Sequence, residues 1–134
     1  MEIKITFPGG KKVNADMSGM VIATDQPKLQ GGDGTAPSPY QLFLASLGTC
    51  AGIYVLSFCR ERNIPTDGVT LTQRIEYATT PEGRQQMDKI VIEINVPPDF
   101  PEKYHNALIK VADQCAVKKT IMNPPKFEIK TVVG

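Results

Sequence analysis

Three cysteines, Cys50, Cys59 and Cys115, and one histidine, His105, are the residues of this chain best suited to chemistry. No two cysteines have the Cys-x-x-Cys spacing, and with one histidine the usual zinc and Cys/His catalytic constellations are missing. An odd cysteine count argues against a disulfide-stapled secreted protein and favours a reducing cytoplasm. The sequence therefore predicts cytoplasmic thiol chemistry without a metal.

Cys50 and Cys59 lie in a run of twenty uncharged residues, 40–59. The run is compatible with a membrane span, with a core helix whose thiols are inert, or with a core helix that presents one thiol for reaction. Roughly 20 apolar residues can cross a bilayer. However, hydroxyls and two glycines interrupt the run, and neither flank has an aromatic belt or a basic cluster. We therefore expect a core helix. With a net charge of +1 and no basic cluster, neither membrane nor nucleic acid is an expected partner.

Helix geometry decides which thiols can meet. Cys50 and Cys59 are nine residues apart, which at about 100° per residue places them on opposite sides of a helix. Cys115, at the end of a second predicted helix, is the better candidate to face Cys50, because packed helices lie about 8–10 Å apart. Free cysteine is often buried, which favours an inert role for Cys59 and leaves both roles open for the other two. Since Cys50 lies mid-helix, we expect a lowered pKa there to need a nearby cation.

The elements that position these thiols follow from periodicity and turn residues. A chain of 134 residues, 41% hydrophobic, is expected to form a single domain, residues 1–134, with one core. Alternation and capping signals predict an α+β fold of order βββαββαβ. The predicted strands are 3–7, 13–16, 20–24, 69–77, 90–96 and 127–131, the predicted helices are 39–62 and 101–115, and the glycine- and proline-rich segment 25–37 is predicted to be a flexible connector.

Two motifs resemble those of a known superfamily. Ahead of Cys50 stands the segment Pro39-Tyr40-Gln41-Leu42-Phe43-Leu44-Ala45, which resembles the first cysteine motif of the OsmC/Ohr superfamily (osmotically inducible protein C and organic hydroperoxide resistance protein). Gln114-Cys115-Ala116-Val117 is similar to its second motif, and the likeness extends through Gly31-Gly32 to nearly the whole chain. The resemblance implies an intertwined homodimer, with two central helices packed against antiparallel sheets and thiol sites at the subunit interface.

The resemblance also implies a reaction. Cys50 would reduce a small organic hydroperoxide and become a sulfenic acid, Cys115 would condense with it to a disulfide, and a dithiol co-substrate would reopen the bond. Such a peroxiredoxin-like activity would serve the oxidative stress response and needs no cofactor. An apolar pocket lined by Phe43, Leu47 and Tyr54 would favour organic over hydrogen peroxide.

Some positions depart from the superfamily pattern. The glutamate that usually follows the motif proline is Tyr40 here, and Gln41 comes next. In the superfamily that glutamate orients an arginine. The matching residue here is Lys11, which has a positive charge but lacks the planar guanidinium group of arginine. These departures keep a second function open, a non-catalytic dimer that binds a small apolar ligand or senses redox state through the same pair. A third possibility has both cysteines inert in the core.

Overall fold

The computed structural model describes residues 1–134 and has the predicted α+β class with antiparallel sheets. Its contacts divide the chain into two compact units, Met1–Ala45 and Ser46–Gly134. The strands are β1 (Lys4–Gly9), β2 (Lys12–Met17), β3 (Met20–Thr24), β4 (Thr70–Thr79) and β5 (Gln85–Asn95). The helices are α1 (Pro39–Glu61), α2 (His105–Ala112) and α3 (Ala116–Met122), with short 3-10 turns at Lys28–Gln30 and Glu102–Tyr104.

The N-terminal unit begins with an antiparallel meander of order β1-β2-β3. Met17 pairs with Met20, so the β2–β3 loop has only two residues, Ser18 and Gly19. Both have positive φ, 53° and 93°, as the type I′ turn of a two-residue hairpin requires. The Gly19 N–H donates to Asp16 Oδ1 at 2.8 Å and closes the turn.

The segment predicted to be a flexible connector is held by one buried carboxylate. Asp25 is only 1% exposed and accepts hydrogen bonds from Thr35 N (3.1 Å), Thr35 Oγ1 (2.8 Å), Gln26 N (2.7 Å) and Asp33 N (3.3 Å). These bonds, led by those from Thr35, lower the pKa of Asp25 to about 2. The predicted loop is confirmed, and the Asp25 carboxylate links its beginning, at Gln26, to Asp33 and Thr35 near its end.

Helix α1 begins where the sequence predicts. Gln41 N donates to Ser38 Oγ (3.2 Å), and Ser38 N donates to Gln41 Oε1 (2.9 Å), so the two residues form a reciprocal capping box. The helix is long and apolar enough to cross a membrane by length and composition, a test that core helices also pass. Its buried residues are Leu47, Ala51, Val55, Phe58 and Cys59.

The C-terminal unit packs α1 and α2 around a small core. Strands β4 and β5 form one long antiparallel hairpin, in which Leu71 pairs with Ile94. The buried cluster joins Val55, Phe58 and Cys59 of α1 to Phe100 and Leu108. Cys59 is fully buried there, and burial raises the pKa of its thiol.

The chain differs from the sequence prediction after α2. The second helix ends at Ala112, a separate helix α3 follows Cys115, and residues 127–131 form no strand. A strand needs a neighbouring strand for its backbone N–H and C=O groups, and in the single chain this segment has none. Its alternating apolar side chains are consequently exposed, 85% for Phe127 and 94% for Ile129.

Candidate thiol site

Cys50 of α1 and Cys115 lie side by side in the C-terminal unit, where their thiols hydrogen-bond to each other. Both are free, Cys50 half-buried and Cys115 only 3% exposed. The sequence analysis placed Cys115 at the end of the second helix, and that prediction is wrong. Cys115 is instead the N-cap residue of α3. Its Sγ accepts a hydrogen bond from Lys118 N at 3.4 Å and lies 3.9 Å from the Leu47 carbonyl oxygen.

Backbone amides lower the pKa of Cys50. The largest contribution comes from the Val117 N–H, and the Cys115 thiol and the Ala116 N–H lower the pKa further, while desolvation raises it. The predicted need for a cation is therefore wrong, since no cation is among these causes. The first N–H groups of a helix have no partner inside the helix, and the turn at Cys115 brings those of α3 to Cys50.

The pKa of Cys115 moves in the opposite direction. Burial raises it most, the neighbouring Cys50 raises it further, and the Lys118 N–H opposes the rise only in part. Of the two neighbouring thiols, Cys50 therefore loses its proton at the lower pH, and Cys115 keeps its proton to higher pH. A thiolate is the nucleophilic form of cysteine, so the pair is arranged for Cys50 to react first.

Two side-chain bridges hold the turn that carries these amides. Lys118 forms an ion pair with Asp113, and Lys119 Nζ donates to Gln114 Oε1 at 2.8 Å. Each bridge joins a residue before Cys115 to a residue of α3. The Ala116 and Val117 N–H groups lie between the two ends of each bridge in the sequence. Neither bridge was predicted, because the sequence analysis placed residues 113–115 on a continuous helix.

An apolar cleft of about 810 Å³ lies beside the pair. Its walls come from β5, α2 and parts of α1 and α3, and Cys115 is one of the lining residues, whereas Cys50 is not. The apolar side chains that line it include Leu47, Ile90, Ile92, Ile94, Leu108 and Ile109.

The residues predicted to form an apolar pocket are not all in one place. Leu47 lines the cleft, but Tyr54 lines a separate groove together with Phe58 and Arg62. Phe43 contacts Tyr40, with ring centroids 5.7 Å apart, in the N-terminal unit. Leu47 is therefore the one predicted pocket residue that the structure places at the cleft.

The remaining predicted site residues belong to the N-terminal unit. Gln41 is engaged in the helix cap described above, which explains its side chain without a catalytic role. Lys11 lies in the β1–β2 turn, and its Cε would lie 3.5 Å from a Cβ placed on Gly31. The predicted action of Lys11 or Tyr40 on Cys50 stays a prediction. The site holds no cluster of three or more His, Cys, Asp or Glu side chains suited to a metal.

Comparison with known proteins places the chain in a family. A family model described as OsmC-like protein matches residues 32–130, and the chain therefore belongs to the OsmC-like family. No curated protein matches the sequence.

Solved structures share this fold. A protein from Psychrobacter arcticus 273-4, assigned to the osmotic stress and detoxification response, is 26% identical with a TM-score of 0.69, over 88% of this chain and 85% of that one. An OsmC-like protein from Mycoplasma pneumoniae is 15% identical with a TM-score of 0.67, over 92% and 87%. An organic hydroperoxide resistance protein from Legionella pneumophila is 20% identical with a TM-score of 0.54, over 90% and 89%.

Proposed function

We propose that this protein is a thiol-dependent reductase of organic hydroperoxides, in which Cys50 is oxidised first and Cys115 resolves the product. The observation that carries the proposal is the contact between two thiols whose pKa values are shifted in opposite directions, that of Cys50 down and that of Cys115 up. Membership of the OsmC-like family supports it, as does the fold neighbour from Legionella pneumophila that is named an organic hydroperoxide resistance protein.

The chemistry would proceed in two steps. The Cys50 thiolate attacks the outer oxygen of the hydroperoxide, the O–O bond breaks, and the alcohol leaves after taking a proton, so Cys50 becomes a sulfenic acid. Cys115 then attacks that sulfur, and water leaves as the disulfide forms. The Val117 and Ala116 N–H groups favour the Cys50 thiolate at the start. The raised pKa of Cys115 keeps its proton in place until the sulfenic acid exists.

A homodimer in the cytoplasm is part of this proposal. Ile53, in the middle of α1, is 52% exposed, and the C-terminal Phe127 and Ile129 are almost fully exposed. Large exposed apolar side chains of this kind are typical of surfaces that a partner covers. The odd number of cysteines favours a reducing compartment. The expected partners are a second copy and a small organic hydroperoxide, with neither nucleic acid nor membrane.

A second candidate function has one observation in its favour. None of the groups that lower the pKa of Cys50 is a cation, and Tyr40 occupies the position of the superfamily's usual glutamate. A thiolate that is stabilised by amide N–H groups and a neighbouring thiol, without a cation, suits a slower role, in which a non-catalytic dimer binds an apolar ligand or senses redox state through one reversible disulfide.

Steady-state turnover distinguishes the two functions. The reduced protein is mixed with excess dithiothreitol and either cumene hydroperoxide or hydrogen peroxide, and peroxide consumption is followed. We expect repeated turnover that prefers the organic peroxide and disappears in Cys50→Ser. Cys59→Ser is the matched control, since it removes a thiol from the same helix away from the site. Turnover that survives in Cys50→Ser would refute catalysis at Cys50, and a single slow oxidation without turnover would favour the sensor.

A further inference from the structure

The two sulfurs of the pair also accept the first backbone donors of α3. The N–H groups of Ala116, Val117 and Lys118 begin this helix and have no partner within it. Lys118 N donates to Cys115 Sγ at 3.4 Å, and the Val117 and Ala116 N–H groups hydrogen-bond to Cys50. The first turn of α3 is therefore capped by the same two sulfurs that would carry out the redox chemistry.

Few other contacts hold α3 in its helical conformation. The helix Ala116–Met122 has seven residues, and none of them is buried. Helices shorter than about 12–15 residues are marginal in water unless they pack against other elements. The bridges from Lys118 to Asp113 and from Lys119 to Gln114 join exposed side chains, and exposed pairs of this kind contribute little. The stability of α3 consequently depends to a large extent on its sulfur cap.

Oxidation of the pair weakens that cap. As a thiolate, Cys50 is a charged acceptor, and hydrogen bonds to charged acceptors are roughly twice as strong as neutral ones. In a disulfide both sulfurs are uncharged, and a neutral sulfur is a weak acceptor. The covalent bond also brings the two sulfurs closer together than a hydrogen bond between thiols does, which moves them from the positions in which they accept the three N–H groups.

We infer that the pair is a redox switch for α3, in which a Cys50–Cys115 disulfide uncaps the helix and unfolds it, and reduction restores it. The inference deepens the proposed function and rests on it, because the pair must form this disulfide. Two thiols lose two electrons and two protons in the step, and the hydroperoxide that accepts them becomes an alcohol and water. By thermodynamic linkage, a partner that binds α3 in its helical form would keep the pair reduced.

Hydrogen exchange of backbone amides tests the switch. The protein is reduced with a phosphine or oxidised with diamide, which takes the two electrons and two protons without any peroxidase activity, and peptide mass spectrometry verifies the disulfide. We expect the amides of residues 116–122 to exchange at least about fivefold faster in the oxidised protein, as the loss of one helix cap implies. The amides of α2, residues 105–112, serve as the internal control and should be unchanged.

Three results would overturn the inference. They are an unchanged rate at residues 116–122 in the disulfide form, an equal acceleration in α2, which would show general destabilisation, and no Cys50–Cys115 disulfide after diamide. A failure of cumene hydroperoxide to oxidise the pair would contradict the proposed function alone, because the diamide experiment does not use it.

Two variants separate the switch from other effects of diamide. Cys115→Ser cannot form the disulfide, and serine is a preferred N-cap residue that keeps α3 capped. Its α3 amides should exchange at the same rate with and without diamide, and a faster rate after diamide would overturn the inference. Cys59→Ser keeps the pair and is the matched control. Its α3 should respond to diamide as the wild-type protein does, and a lost response would assign the effect to Cys59 instead.

Discussion

Removal of one backbone donor tests the origin of the Cys50 reactivity. Ala116 is the first residue of α3, a position that proline accepts because its N–H has no partner within the helix. The preceding Cys115 has φ −46° and ψ 120°, close to the extended conformation that a residue before proline adopts. Ala116→Pro should therefore fold normally and delete one of the two N–H groups that lower the pKa of Cys50.

The expected effect follows from the loss of one hydrogen bond to a thiolate. Such bonds to charged groups contribute about 1.5–3 kcal/mol, and we take about 1 kcal/mol because Ala116 is the smaller of the two amide contributions. At pH values below the pKa, a loss of about 1 kcal/mol of thiolate stabilisation reduces the fraction of Cys50 in the thiolate form roughly fivefold. The more basic thiolate is intrinsically about twofold more reactive. Alkylation of Cys50 at pH 7 should then slow about two- to threefold, and its pH profile should move to higher pH.

The assay is the rate of iodoacetamide labelling of the Cys50 peptide between pH 5 and 10, followed by mass spectrometry. Ala116→Val is the matched control, because it adds bulk similar to that of proline but keeps the N–H. Its profile should coincide with that of the wild-type protein. An unchanged profile in Ala116→Pro, or an equal change in both variants, would refute the assignment of the lowered pKa to backbone amides.

Three further predictions concern other parts of the molecule. In Cys115→Ser, peroxide should leave Cys50 as a sulfenic acid that dimedone traps, and a disulfide formed elsewhere would contradict the pairing. Cys59→Ser should lower the free energy of unfolding by about 1–3 kcal/mol, since it buries a hydroxyl in the apolar core, without changing turnover. Asp25→Asn should lower the midpoint of thermal unfolding at pH 7. Because the folded pKa of Asp25 is about 2, below the unfolded value, its contribution is complete above about pH 4 and is lost as the pH falls through 2; midpoints that differ equally at pH 7 and pH 2 would contradict this.

The sequence predicts those helices and strands whose capping residues or alternation lie within the element itself. Ser38 and Pro39 start α1 where the capping pattern indicates, and the alternation of β4 and β5 appears as one hairpin. Helix phase also indicated that Cys115, rather than Cys59, faces Cys50. The helix α3 was missed because cysteine is not among the preferred N-cap residues, so nothing at Cys115 signalled a new helix.

Tertiary contacts account for the other differences. The lowered pKa of Cys50 depends on amides 66 and 67 residues away in sequence, and mid-helix position alone gives no sign of them. Asp25 accepts hydrogen bonds from Asp33 and Thr35 of the same loop. The composition of this segment indicates a glycine-rich connector but does not indicate these contacts. Residues 127–131 carry a strand pattern that one chain alone does not satisfy.

The most direct test of the central claim is a single oxidation of the reduced protein. One equivalent of cumene hydroperoxide is added without reductant, the reaction is quenched with acid, and the remaining thiols are alkylated before peptide mass spectrometry. We predict a Cys50–Cys115 disulfide, with Cys59 recovered as the alkylated thiol. Recovery of Cys50 and Cys115 in the alkylated form, with the peroxide unconsumed, would contradict the proposal that this pair reduces hydroperoxides.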